Sequence, residues 1–177
     1  MAVDAAAVAA AAPTTFYGEA FRHIAAGYLD PLSGEGARIH GGRFNPPESY
    51  PALYLCTTRA CALAELRRLA GRQVIGLAGL LPRTLYRYEI FVQQVLDLTS
   101  TEVLSALGVT EAQVIGPDWT LPQQIGAAAH DSGWQAIIAR SATGVDGVLT
   151  AFPENLGSGL ITSHPVETWG EPADLDR

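Results

Sequence analysis

The chain has 177 residues, 48% of them hydrophobic and 16% charged, and its formal net charge is −7. This composition is typical of one folded domain and excludes a largely disordered chain. The basic residues are all arginines and are scattered, with only Arg67 and Arg68 adjacent, so direct binding of nucleic acid is disfavoured. A local basic pocket for one small phosphorylated ligand remains compatible with this charge.

The two ends of the chain predict short tails on one domain. Residues 1–13 are nearly all alanine and valine but lack the positive start of a secretory signal, so we expect a disordered alanine-rich tail over 1–15. The domain is predicted over 16–170, and a C-terminal tail over 171–177. No apolar run is close to the length of a membrane span, which needs about 18 residues. We therefore expect a cytoplasmic protein without a membrane partner.

Hydrophobic periodicity predicts a mixture of strands and helices. Strands are expected at 19–24, 52–56, 84–92, 95–98, 134–139, 147–152 and 159–163. Helices are expected from Thr57 or Thr58 to Ala70, and at 74–81, 101–107 and 121–132. The connection 25–51 is rich in glycine, proline, serine and asparagine, and loops of that length tend to be functional or mobile. Because strands and helices do not alternate strictly, the pattern predicts an α+β fold.

The two cysteines, Cys56 and Cys61, are expected to be buried thiols in a reducing compartment. Two thiols cannot complete a four-ligand zinc site, and the four histidines lack ligand spacing, so no metal site is predicted. There is also no G-x-S-x-G, H-E-x-x-H or Walker motif.

Three successive elements present side chains that suit cleavage of a nucleotide N-glycosidic bond. Arg43 follows two glycines in Gly41-Gly42-Arg43-Phe44-Asn45, and an arginine fork fits phosphate. Tyr54 lies in a short strand and can stack on a heterocycle. Glu65 lies at the edge of the apolar stripe of a helix and can stabilise a developing cation. Taken singly, Glu65 fits a solvated helix glutamate better, Arg43 fits a surface arginine in a turn at least as well, and Tyr54 is also compatible with a core or surface tyrosine.

Three further residues are candidates for ligand contact. Arg22 and His23 occupy the first predicted strand, and Ser141 follows a buried strand at a position where loop residues often line sites. The alternatives are a solvent-facing arginine, a packed histidine and a turn serine.

Together these motifs resemble the RES-domain family, named for an arginine, a glutamate and a serine that correspond to Arg43, Glu65 and Ser141. The likeness covers roughly residues 16 to 166. The matching segments are 21–23, 32–38, 41–47, 52–55, 64–65, 118–119, 139–141 and 154–156. Family members are toxins of bacterial toxin–antitoxin pairs that consume NAD.

The resemblance implies a single domain similar to the ADP-ribosyltransferase toxins, with mixed or antiparallel sheets and flanking helices. It implies NAD+ as substrate without a prosthetic group, and an Xre-like DNA-binding antitoxin that covers the active site. Related members carry tyrosine where this chain has His23. An imidazole there could still stack or donate a hydrogen bond, and we expect its charge to titrate near neutrality.

The resemblance also implies roles in catalysis. Glu65 would stabilise the oxocarbenium-like ribose as neutral nicotinamide departs. Arg43 and Arg22 would bind the pyrophosphate, and Tyr54 would pack against the nicotinamide. Ser141 would hydrogen-bond the ligand or orient Glu65.

The identity of the acceptor stays open. Because no second base is evident near Glu65, inorganic phosphate is expected first, which would make the protein an NAD phosphorylase. Water would make it an NAD glycohydrolase, and a protein side chain an ADP-ribosyltransferase. A catalytically silent antitoxin-binding module is a further alternative, whereas acidity disfavours a nuclease toxin.

Overall fold

A mixed, mostly antiparallel six-stranded sheet with flanking helices forms this single domain, as the α+β prediction anticipates. The computed structural model describes residues 3–177. Its strands are β1 Thr14–Ala25, β2 Leu53–Cys56, β3 Arg83–Asp97, β4 Ala136–Arg140, β5 Gly147–Ala151 and β6 Ile161–Trp169. Its helices are α1 Ala5–Ala10, α2 Glu35–His40, α3 Arg59–Ala70, α4 Gly76–Leu80, α5 Thr101–Leu107, α6 Glu111–Ile115 and α7 Thr120–Asp131. Two 3-10 turns, Pro153–Asn155 and Pro172–Asp176, complete it.

The strand pairings close on themselves. The order is β1-β2-β5-β4-β3-β6, and β1 also pairs with β3 along almost its whole length. Phe21 on β1 faces Cys56 on β2 and Arg87 on β3, so β1 pairs with both strands and closes the ring. The β3–β4 pairing is parallel and the other pairings are antiparallel. The ring brings β1, β2 and α3 together, and these elements supply most of the candidate site residues.

Strand β3 is longer than predicted. The sequence pattern placed a break between 84–92 and 95–98, whereas the strand runs without interruption from Arg83 to Asp97. The backbone N–H groups of Gln93 and Gln94 both donate to Oε1 of Gln135, at 2.9 and 3.1 Å. Here β3 exchanges its antiparallel partner β6 for its parallel partner β4. The Gln135 side chain therefore takes the place of a backbone partner at this point. The sequence shows only two polar residues here and does not reveal this contact.

The expected disordered tail is wrong for the part of 1–15 that the structure describes. Asp4 caps α1 by accepting from the Ala6 amide at 2.9 Å, and Val8 is completely buried in a cluster with residues of α5 and α7. Strand β1 then begins at Thr14. Because Val8 is buried against α5 and α7, this alanine-rich segment forms an ordered helix. The first two residues of the expected tail lie outside the described range.

The C-terminal segment 171–177 is also docked rather than a free tail. Leu175 is 3% exposed and packs in a cluster with the buried Trp169. The predicted strand at 159–163 extends to Trp169, beyond Pro165. The longest helices, α3 and α7, have 12 residues each, and nowhere in residues 3–177 is a helix long and apolar enough to cross a bilayer.

The connection 25–51 is structured, contrary to the expectation of a long loop. It contains α2 and a tight turn at Gly42–Asn45 that lies against α7. A Cβ atom at Gly126 of α7 would come within 1.9 Å of the Phe44 carbonyl oxygen, so the turn and the helix touch backbone to backbone. The absence of a side chain at residue 126 therefore allows the turn to reach its position.

Replacing Gly126 by alanine is expected to separate α7 from this turn. Because the added methyl meets backbone rather than a movable side chain, we expect the free energy of unfolding to fall by about 1–3 kcal/mol. Chemical denaturation followed by circular dichroism measures the change.

Gly36→Ala is the matched control, since Gly36 is also helical and its Cβ would meet nothing within 4 Å. It should leave stability unchanged or raise it by about 0.5–1 kcal/mol. Equal stabilities for the two variants would contradict the close contact at Gly126.

Candidate active site

A cavity of about 420 Å³ lies between β1, β2, α3 and the turn that carries Arg43. It brings together five of the six predicted site residues, namely Arg22, His23, Arg43, Tyr54 and Glu65. The sixth, Ser141, is 1% exposed and lies behind Glu65 rather than at the cavity surface. This volume falls in the range of small-molecule sites in proteins.

The turn that presents Arg43 is fixed by buried polar contacts. The Gly42 amide donates to the Asn45 carbonyl at 2.8 Å, which closes the turn, and Phe44 at its tip is 1% exposed in the core. The completely buried Asn45 donates through Nδ2 to the Ala37 carbonyl at 2.6 Å. Gln123 of α7 donates to the Gly42 carbonyl at 3.0 Å. Arg43 therefore projects from a rigid support rather than from a mobile loop.

Tyr54 holds the same turn from the strand side. Its hydroxyl donates to Oδ1 of Asn45 at 2.7 Å and accepts from the Phe44 amide at 2.8 Å. Burial raises the pKa of the Tyr54 phenol, so the donor hydrogen is retained. A Cβ atom at Gly42 would lie 2.4 Å from this hydroxyl, so the second glycine of the motif is required by the tyrosine. The ring lines the cavity while its hydroxyl is committed to the turn.

The Arg43 side chain contacts α6 and the residues that follow it. Its Nη1 donates to the carbonyls of Val114 and Gly116 at 2.9 and 2.7 Å, and its guanidinium lies 5.6 Å from the Trp119 ring centroid. Burial lowers the pKa of Arg43, and the neighbouring Arg68 lowers it further. An anion in the cavity would relieve that repulsion.

Glu65 is oriented from behind by Ser141. Helix α3 begins at the cap Thr58, whose hydroxyl accepts from the Cys61 amide at 3.1 Å, and Glu65 lies on the cavity side of the helix with 29% of its side chain exposed. The Ser141 hydroxyl donates to Oε1 of Glu65 at 2.8 Å and accepts from the Thr143 amide at 3.0 Å. Two roles are predicted for Ser141, ligand contact and orientation of Glu65, and its position supports the second.

Arg22 supports the connection that follows β1. Its Nη1 donates to the carbonyls of Pro31 and Ser33 at 3.3 and 3.2 Å, and the side chain also lines the cavity. The Arg22 guanidinium that makes these structural contacts is therefore the same group that is predicted to contact the ligand.

The expected titration of His23 near neutrality is wrong. Burial lowers the pKa of the imidazole to about 3, and the charges of Arg83 and Arg22 act in the same direction. Nε of Arg83 donates to Nδ1 of His23 at 2.8 Å, so Nδ1 is the acceptor and the hydrogen is on Nε2. The sequence pattern gave no sign of Arg83, which is 60 residues away on the neighbouring strand.

The cavity is strongly basic, although the whole chain is acidic. Five arginines line it, and Glu65 is the one carboxylate among its described lining residues; the arginines are Arg22, Arg43, Arg68, Arg72 and Arg140. Sequence reasoning missed Arg68, Arg72 and Arg140. Arg68 and Arg72 follow Glu65 by three and seven positions, a helical spacing that could have identified them, although Arg72 lies just beyond the end of α3.

Comparison with known proteins identifies relatives of this chain. The sequence profile of the RES domain matches residues 19–166. NAD(+) phosphorylase MbcT of Mycobacterium bovis and that of Mycobacterium tuberculosis are each 33% identical over 136 residues, which is 76% of this chain and 73% of each relative. The crystal structure of the M. tuberculosis MbcT–MbcA toxin–antitoxin complex superposes with a TM-score of 0.81 and 28% identity, over 97% of this chain and 94% of that chain.

The neutral state of His23 can be tested by NMR titration of the imidazole. Because burial is the main cause, we expect it to stay uncharged until the pH approaches about 3. Arg83→Met should raise the His23 pKa only part of the way towards 6.5, since the burial remains. Titration of wild-type His23 near 6.5 would contradict this environment.

The same shift has a consequence for stability. The folded-state pKa lies below the ordinary value, so the contribution of neutral His23 is complete above about pH 6.5 and is lost as the pH falls towards about 3. His23→Gln should therefore flatten the dependence of stability on pH in that window, measured by denaturation at several pH values.

Proposed function

This chain belongs to the RES-domain family, and from that premise we propose that it is the toxin of a toxin–antitoxin pair that degrades NAD+. It cleaves the bond between nicotinamide and ribose, with inorganic phosphate as the acceptor, and so releases nicotinamide and ADP-ribose-1″-phosphate. NAD+ and phosphate are substrates, and no prosthetic group takes part. Support comes from the relatives named NAD(+) phosphorylase and from the site itself.

The observation that carries the proposal is the placement of one carboxylate among arginines. Glu65 faces a cavity that is otherwise basic and partly aromatic, and Ser141 holds its Oε1 atom at 2.8 Å. A dinucleotide brings two phosphates and two heterocycles to such a cavity. The single carboxylate is then available for the one part of NAD+ that becomes more positive during the reaction, the nicotinamide ribose.

Glu65 acts on the breaking bond by charge. As the bond lengthens, its electron pair passes to the pyridinium nitrogen, and positive charge develops on the ribose. A carboxylate that is already oriented stabilises this charge without rearrangement. The departing nicotinamide is neutral, so the site requires no general acid.

The other side chains bind and orient the dinucleotide. Arg43 holds the pyrophosphate, because its remaining guanidinium hydrogens are free of the two carbonyls that fix Nη1. Arg22 assists from β1. The Tyr54 ring packs against nicotinamide, and His23 offers a neutral N–H from the same wall.

The proposal extends to the fold and the partner. A mixed sheet with flanking helices around a cavity with one glutamate is compatible with kinship to the ADP-ribosyltransferase toxins. The solved relative is a toxin in complex with its antitoxin MbcA, which supports an antitoxin for this chain as well. We expect an Xre-like DNA-binding protein that covers the cavity, and cytoplasmic action, where NAD+ is found. This chain itself does not bind nucleic acid.

Antitoxin-free protein should release nicotinamide from NAD+ when inorganic phosphate is present. Glu65→Gln keeps the shape of the side chain but removes its charge, so kcat/KM should fall by about 100- to 1,000-fold. Nicotinamide and ADP-ribose-1″-phosphate are measured by chromatography and 31P NMR.

Glu89→Gln, on the exposed side of β3, is the matched control and should behave like the wild type. Release that does not depend on phosphate would identify a glycohydrolase or a transferase instead. If folded wild-type protein releases no nicotinamide, and Glu65→Gln still arrests growth, the chain is a silent binding module and the proposal fails.

Ser141→Ala tests the orientation of Glu65. Loss of a hydrogen bond to a charged group should lower kcat by about 10-fold, with little change in the KM for NAD+ because Ser141 does not line the cavity. Steady-state kinetics separate the two constants. Ser105→Ala, on the exposed face of α5, is the control. An increase in KM at unchanged kcat would place Ser141 in ligand binding instead.

A further inference from the structure

Two arginines that follow Glu65, Arg68 on α3 and Arg72 in the turn just beyond its end, have no role in the mechanism above. Both line the cavity. The cavity contains no second described carboxylate to pair with them. Two cations beside a single reactive carboxylate require an explanation.

Arg68 is the better placed of the two. Its Nη1 lies 3.8 Å from Oε2 of Glu65, the oxygen that Ser141 leaves free, and 26% of its side chain is exposed. Within residues 3–177 this long ion pair is its one polar contact, and no hydrogen bond ties down the guanidinium. Arg22 and Arg43, by contrast, have Nη1 fixed on backbone carbonyls. Arg68 therefore has its donors available beside the reacting centre.

Arg68 also faces a second cation. Burial is the main cause of the lowered pKa of Arg43, and the charges of Arg68 and Arg72 lower that pKa further, while Glu65 and Tyr54 act in the opposite direction. A small dianion between α3 and the turn that carries Arg43 would neutralise the excess charge and satisfy the free donors of Arg68.

We infer that Arg68, assisted by Arg72, forms the binding site for the acceptor phosphate beside Glu65. This inference rests on the proposed function and identifies how its acceptor is chosen. The phosphate dianion would otherwise be repelled by the Glu65 carboxylate; Arg68 lies against that carboxylate and compensates for its charge. Arg72, in the turn that follows α3, holds the outer phosphate oxygens.

The transfer step balances without an added base. An anionic oxygen of HPO₄²⁻ forms the bond to the ribose C1″ carbon, and the C1″–nitrogen bond breaks. Its electron pair goes to the pyridinium nitrogen, which leaves as neutral nicotinamide. The hydrogen of HPO₄²⁻ stays on the new phosphate ester. Water, in contrast, would have to lose a proton to a base, so a phosphate held by Arg68 competes effectively with water.

The test compares three helix variants at varied phosphate and NAD+. Arg68→Gln should raise the KM for phosphate by about 10- to 100-fold, as expected for loss of a charged hydrogen bond. It should raise the KM for NAD+ less, and the share of ADP-ribose among the products should increase. Arg68→Lys keeps the charge and should restore part of the phosphate affinity. Arg67→Gln is the control, because Arg67 is the adjacent arginine, is 54% exposed and pairs with Asp176 outside the cavity.

Two kinetic results would overturn the assignment. A higher KM for NAD+ at unchanged KM for phosphate would mean that Arg68 binds the dinucleotide. An equal fall in kcat with both substrates, at unchanged KM values, would mean that it acts through Glu65 alone.

Titration of inorganic phosphate into NAD-free protein, followed by calorimetry, separates this inference from the proposed function. Phosphate binding that Arg68→Gln weakens would support the site even if the wild type cleaved no NAD+. Binding that is equal in the wild type and Arg68→Gln would exclude the site even if NAD+ cleavage were confirmed.

Discussion

The hydroxyl of Tyr54 is the contact on which the geometry of the site depends. It bonds to both Phe44 and Asn45, and so joins β2 to the turn that presents Arg43. The turn is also held from α7 by backbone contact at Gly126. In the proposed reaction an arginine binds a phosphate while a glutamate acts on the ribose, and this needs a fixed separation between loop and helix. The tyrosine provides it, since its strand leads directly into α3 and Glu65.

The second constraint is electrostatic. The chain has a net charge of −7, yet five of its arginines surround one cavity with a single described carboxylate. Bringing these cations together is unfavourable without a ligand: burial is the main cause of the lowered pKa of Arg43, and the charges of Arg68 and Arg72 lower it further. The fold offsets this unfavourable electrostatic energy because the sheet and helices bury apolar residues on either side of the site. Binding of a polyanion then recovers part of the repulsive energy, which ties affinity to the charge of the ligand.

The sequence allowed prediction of those parts of the fold and site that depend on local pattern. The helix with Glu65 follows from the Thr58 cap and its apolar stripe, and the placement of five predicted residues in one cavity agrees with the motifs. What escaped prediction depends on contacts distant in sequence. Burial keeps His23 neutral, and Arg83 on the neighbouring strand acts in the same direction. Burial of Val8 against α7 orders a segment whose composition suggests disorder. The helical spacing of Arg68 from Glu65 is visible in the sequence, but its relevance follows from the structure, in which both residues line one cavity.

The most direct test of this account is a crystal structure of the Glu65→Gln variant with NAD+ bound. The account predicts the nicotinamide ribose against residue 65, the pyrophosphate on Arg43 and Arg22, and the nicotinamide ring on the Tyr54 wall of the cavity. NAD+ bound elsewhere on the molecule, or with its adenine half against residue 65, would contradict it. Either of those results would show that the carboxylate, although well oriented by Ser141, does not act on the bond that this account assigns to it.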